Sequence, residues 1–78
     1  MSVEKLRLVF AESLGLPVEQ VTDDLQYNTV HQWDSVAHLA LIAAIEEGFD
    51  ILLETNDVID LSSFAKAREI VARYGVPL

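Results

Sequence analysis

From Leu39 to Ile45 the chain runs without a polar side chain, inside a segment, Ser35–Phe49, that has no proline and only one glycine, near its end. Plotted at 100 degrees per residue, that segment separates into two faces. Leu41, Ile42, Ile45 and Phe49, with His38 beside them, form a bulky stripe, while Val36, Ala40, Ala43 and Glu47 form a small, smooth side. The pattern predicts a helix over 35–49 whose bulky stripe faces a core. Two readings of the small face stand open. It is a surface that a partner can approach closely, or its alanines simply fill an exposed helix with the residue of highest helix propensity.

Helical spacing recurs on both flanks. Val3, Leu6, Val9, Phe10 and Leu14 step by three and four between Glu4, Lys5, Arg7 and Glu12, with Ser2 as the expected cap. Gly15-Leu16-Pro17 stops that helix, because glycine takes the left-handed cap and proline cannot continue the ladder. Val18 to Trp33 follows no single period and reads as an ordered loop with one short helical turn, pinned by Leu25 and Trp33. Gly48 and Asp50 mark the end of the long helix, and Ile51-Leu52-Leu53 is a connector. Thr55-Asn56-Asp57 is expected to cap a short turn holding Val58, Ile59 and Leu61. Ser62 or Ser63 then caps a last helix striped by Phe64, Ala67, Ile70, Val71 and Tyr74 and ended by Gly75 and Pro77. The expectation is one all-α domain over 1–78, a small four-helix bundle with three main helices and a short third one.

A chain of 78 residues supports a single core, and with no cysteine it has no disulfide to reinforce it. Apolar burial must hold it together, and 51% hydrophobic residues at helical spacing allow that. Thirteen acids against five bases, a formal net charge of -8, disfavour nucleic acid and anionic membrane and favour basic protein partners. No apolar run approaches the roughly 20 residues of a membrane span, and Met1-Ser2-Val3-Glu4-Lys5 carries no long apolar leader. The expected location is cytoplasmic and the expected state monomeric.

Ser35, behind Asp34 at the head of the long helix, is the residue with chemical potential. Hydrolysis would demand a base and an oxyanion hole, yet there is no G-x-S-x-G elbow, and His38 and Asp34 lie beside Ser35 in sequence without forming a triad. His38 reads as a residue at the core edge and His31 as a loop residue. The acids Asp57 and Asp60, or Glu46, Glu47 and Asp50, lack the spacing and central glycine of a calcium loop, and Gly15, Gly48 and Gly75 are too dispersed for a phosphate loop. No catalytic residue and no metal site is expected. A serine modified by another enzyme demands less, since a helix N-terminus favours an attached phosphodiester. The alternative for Ser35 is an ordinary N-cap.

Trp33-Asp34-Ser35-Val36-Ala37-His38-Leu39 resembles the Asp-Ser-Leu type motif of acyl carrier proteins. Glu46-Glu47-Gly48-Phe49-Asp50-Ile51 resembles the end of that family's second helix, and Asp57 to Phe64 with Ala67 to Tyr74 its third and fourth. The similarity covers nearly the whole chain. It implies that a phosphopantetheinyl transferase, using coenzyme A and magnesium, attaches 4'-phosphopantetheine to Ser35, with Asp34 beside the modified serine. The thiol of that cofactor would carry acyl thioesters between loading and processing enzymes with basic docking surfaces, in a specialised fatty-acid or polyketide-type pathway. By position, the docking residues implied are Val36, Ala40, Ala43, Glu46 and Glu47 on the second helix, with Asp57 and Asp60 on the third.

Ala37 and Ala40 stand where fatty-acid carriers commonly place acids, so docking here is expected to lean on apolar contact. Trp33 with His38 looks more like discrete carriers of specialised pathways. Leu41, Ile45, Leu53 and Ile59 offer a lining for a cleft in the bundle. Two further readings stay open: a peptidyl carrier loaded by an adenylating enzyme, whose motif tends to have Gly-Gly before the serine where this chain has Gln32-Trp33-Asp34, and an unmodified helical docking module.

Overall fold

The computed structural model describes residues 2–78, apart from the side chain of Ser2. Four α-helices follow one another: α1 (Ser2–Leu14), α2 (Ser35–Phe49), α3 (Thr55–Asp60) and α4 (Phe64–Arg73). A single 3-10 turn, Val18–Gln20, lies in the loop between α1 and α2. The expected all-α four-helix bundle is thus the architecture, with no strand among the described residues. The cap expected at Ser2 lies outside the described residues.

The apolar periodicities of α1, α2 and α4 meet at one centre. Leu6, Phe10 and Leu14 of α1, Leu41, Ile42 and Ile45 of α2, and Phe64, Ala67, Ile70 and Val71 of α4 are buried together. Phe10 is the hub: its ring meets Trp33 edge-on at 5.4 Å and Phe64 edge-on at 5.1 Å, a favourable aromatic geometry. The long loop is ordered because its apolar residues join this core: Leu16, Val21, Leu25 and Trp33 are all buried. Polar ties reinforce it, with Arg7 Nε donating to the Val21 carbonyl at 3.0 Å and Arg68 paired to Asp23 at 3.0 Å. Its end zips onto the start of α4. The Tyr27 amide donates to the Ser62 carbonyl and the Phe64 amide to the Leu25 carbonyl. Ser63 then caps α4, accepting from the Lys66 amide at 2.9 Å.

Gly48 departs from its expected role. α2 passes through it and ends at Asp50, whose φ of 55° is left-handed and whose amide donates to the Glu46 carbonyl. A Cβ at Gly48 would sit 3.6 Å from Val9 Cγ2 and 3.9 Å from Lys5 Cε, which is ordinary contact with α1. Gly48→Ala should therefore stabilise the chain by about 0.8–1 kcal/mol, the helix-interior difference between the two residues. Urea denaturation checks it, and a loss of stability would mean that α1 and α2 cannot accept the methyl group.

α3 is short and none of its own residues is buried. The expected side-chain cap at Thr55-Asn56-Asp57 does not form, because Glu54 takes the N-cap position without a side-chain hydrogen bond. The Asp57 carboxylate turns instead to α4, pairing with Arg73 at 3.1 Å and accepting from the Tyr74 hydroxyl. The Tyr74 oxygen in turn accepts from the Glu54 amide at 2.9 Å.

That bond to the Asp57 carboxylate raises the Tyr74 phenol above its ordinary value of 10.0, because a neutral hydroxyl can donate and a phenolate cannot. A raised acid pKa means that the folded state holds its proton more tightly than the unfolded chain does. The contribution is fully present below about pH 10 and is lost as pH rises through the folded value. Tyr74→Phe should destabilise the chain at neutral pH, and the gap to wild type should narrow above about pH 10. Urea unfolding of both proteins between pH 7 and pH 11 measures this, and a gap that widens with pH contradicts it.

Candidate functional site

The site is built from the start of α2. Asp34 is the N-cap in extended geometry, its Oδ1 accepting from the Ala37 amide at 2.9 Å while its carbonyl accepts from His38 at 2.8 Å. Ser35 is therefore the first helical residue rather than the cap, and it is exposed. This separates two roles that sequence adjacency left merged: the aspartate closes the helix end, and the serine hydroxyl is not committed to doing so. The ordinary N-cap reading belongs to Asp34.

His38 supplies no base to Ser35. Its Nδ1 accepts from Trp33 Nε1 at 3.0 Å and its Nε2 lies 2.8 Å from the Val58 carbonyl oxygen, so both ring nitrogens are engaged. The expected position at the core edge is correct, since the ring is half-buried and stacked on Trp33 with centroids 6.1 Å apart.

Beyond Ser35 the expected small face is in place. Val36 is 76% exposed, and Ala40, Ala43 and Glu47 are exposed beside it. Leu39, 66% exposed, belongs to the same face, which the sequence reading missed although its wheel position falls between Ser35 and Ala43. Ile59, on α3, adds a second large apolar side chain at 71% exposure. Asp60 is exposed as well. Two of the acids are occupied internally. Glu46 Oε2 accepts from the Leu53 amide at 2.9 Å and ties down the connector after α2, and Asp57 holds Arg73 and Tyr74.

The charge distribution is one-sided. No Lys or Arg lies between Arg7 and Lys66, so α2, α3 and the segments joining them carry acids only. The bases sit on α1 and α4, where Arg73, Arg68 and Lys66 pair with Asp57, Asp23 and Glu69, Arg7 binds the Val21 carbonyl and Lys5 lies 5.1 Å over the Phe49 ring. The field over α2 is left negative, which favours encounter with a basic surface.

Hollows border the site. A groove of about 680 Å³ runs along the end of α2, lined by Ala43, Glu46, Glu47, Asp50, Ile51 and Leu52. A smaller cleft of about 260 Å³ lies between the loop, α2 and α3, lined by Tyr27, His38, Val58, Ile59, Leu61 and Ser62. The expected lining of Leu41, Ile45, Leu53 and Ile59 is corrected by this arrangement. Leu41 and Ile45 are fully buried in the core, and of the four only Ile59 lines the cleft. Among the described residues no helix is long and apolar enough to cross a membrane.

No family model matches the chain. An acyl carrier protein of Cyanidium caldarium is 30% identical over 69 residues, spanning 88% of this chain and 80% of the relative. A second acyl carrier protein, from Guillardia theta, is 29% identical over 70 residues, spanning 90% of this chain and 86% of the relative. Both alignments run through most of a four-helix chain whose second helix opens on an aspartate-capped, exposed serine, and the protein belongs to the acyl carrier protein family.

Proposed function

We propose that this chain is a carrier whose Ser35 receives 4'-phosphopantetheine from coenzyme A, and that it presents acyl groups to partner enzymes through the exposed face of α2. The observation that carries the reading is Ser35 itself: exposed, first in α2, and relieved of capping by Asp34. In the attachment step the Ser35 oxygen forms a bond to the phosphorus of the pantetheine phosphate. The bond from that phosphorus to the nucleotide phosphate breaks, 3',5'-ADP leaves, and the hydroxyl proton passes to a base of the transferase. Magnesium and the charge-stabilising groups belong to that enzyme.

The residues present fit the modification. Nothing covers Ser35, and the positive end of the α2 macrodipole lies under it, favourable to a phosphodiester anion. The attached arm supplies a thiol that holds acyl groups as thioesters. The chain's own residues position and present: Asp34 fixes the helix end, Val36, Leu39, Ala40 and Ala43 give an apolar contact surface, and Glu47 and Asp60 carry exposed charge. Docking leans on apolar contact at the centre and on charge at the rim, with Glu46 and Asp57 contributing through the local geometry they hold.

Incubation of the purified chain with coenzyme A, magnesium and a broad-specificity phosphopantetheinyl transferase should add one phosphopantetheine to the intact mass, on the peptide containing Ser35. An unchanged mass overturns the reading. Glu47→Lys should leave the fold intact, as exposed substitutions usually do, and lower kcat/KM for transfer several-fold through KM. Unaltered kinetics would remove Glu47 from the docking surface.

A further inference from the structure

His38 does something that neither a core residue nor a docking residue does: it joins three parts of the chain through one ring. Trp33 Nε1–H can only donate, so His38 Nδ1 must accept, at 3.0 Å. The Val58 carbonyl can only accept, so His38 Nε2 must carry the hydrogen, at 2.8 Å. One form of the ring satisfies both partners, the neutral tautomer protonated on Nε2.

The element that this ring reaches is anchored at its ends, with the half-buried Val58 side chain packed against the core between them. α3 buries none of its own residues. Its first turn is tied to the end of α4 through Asp57, and Leu61, immediately after it, is fully buried. Between those anchors, the Val58 carbonyl is held from α2 by His38, one turn beyond Ser35. The Tyr27 ring, edge-on to His38 at 5.5 Å and to Trp33 at 6.0 Å, packs against the same pair and lines the cleft between them and α3.

We propose that His38 is a positioning residue: its Nε2-protonated imidazole braces α3 against α2 and the Trp33 loop, and so sets where the Ile59–Asp60 edge stands relative to Ser35. The importance of that edge rests on the carrier reading, whereas the brace itself does not. The ring acts through geometry, with both its nitrogens engaged by Trp33 and Val58.

Two substitutions divide the ring's functions. In His38→Asn the amide stands near the Nδ1 position and can still accept from Trp33, but nothing reaches Val58. In His38→Gln the longer side chain places an N–H near the Nε2 position and restores the bond to Val58. Amide hydrogen exchange on the full chain should accelerate about tenfold at Val58 and Leu61 in His38→Asn, the order expected for one lost hydrogen bond, and stay close to wild type in His38→Gln. Ala67, in α4, should be unchanged in both. Long-range ¹H–¹⁵N correlation spectra of the wild-type ring at neutral pH should show Nε2 protonated and Nδ1 bare.

Equal exchange in the two variants, or a wild-type ring protonated on Nδ1, overturns the proposal. If both variants unfold, the wild-type spectrum alone decides. None of these readouts involves phosphopantetheine. A chain that shows the brace but gains no mass with the transferase refutes the carrier reading and leaves the brace standing.

Discussion

Trp33→Ala should remove a large share of the stability of this protein. The indole is fully buried at the end of the long loop, edge-on to Phe10 at 5.4 Å and to Tyr27 at 6.0 Å and stacked on His38. Its amide and carbonyl also close the last loop turns, to Val30 and from Asn28. Truncating a buried tryptophan to alanine removes about 3–5 kcal/mol, by lost transfer energy and the cavity left behind. At roughly 0.05–0.15 kcal/mol per residue, a domain of this size holds only about 4–12 kcal/mol in all. The substitution also leaves His38 Nδ1 without its donor. Urea unfolding followed by far-ultraviolet circular dichroism should show the midpoint falling sharply or the cooperative transition vanishing. A loss below about 1 kcal/mol would mean that the loop is held chiefly by Leu25 and Val21, against the packing described. Fluorescence cannot serve as the probe, because Trp33 is the sole tryptophan.

Ser35→Ala should do the opposite, removing modification altogether while leaving stability nearly untouched. The capping bond to the Ala37 amide comes from Asp34, so Ser35 contributes no cap, and alanine is the better helix former at a first-turn position. Stability should shift by less than about 0.5 kcal/mol, as for exposed positions in general. Asp34→Ala, by contrast, should cost about 1 kcal/mol through loss of the cap. Intact mass after incubation with the transferase, set beside urea midpoints for the two variants, makes the comparison. A mass gain that survives Ser35→Ala places the modified residue elsewhere. A Ser35→Ala destabilisation as large as that of Asp34→Ala would mean that the serine caps after all.

The same contrast runs through the whole chain. The sequence alone determined where the main helices lie, because that information is local: α2 fills 35–49 as its apolar period predicts, Gly15 takes φ 68° at the end of α1, and one of the two serines expected to cap α4, Ser63, does so. It also determined the exposed small face beyond Ser35 and the two loop anchors, Leu25 and Trp33, since a buried stripe or an isolated apolar residue in a polar loop is readable from periodicity and composition. What depended on partners distant in the chain was not legible. Whether Asp34 or Ser35 caps α2 turns on backbone dihedrals at the junction, and either residue type would serve. Asp57 is drawn from the surface by Tyr74 and Arg73, Glu46 by the Leu53 amide, and His38 by Trp33 and Val58. A polar side chain has several possible partners and no period, so only the folded arrangement, which brings residues up to 45 positions apart within hydrogen-bond reach, decides which of them it meets.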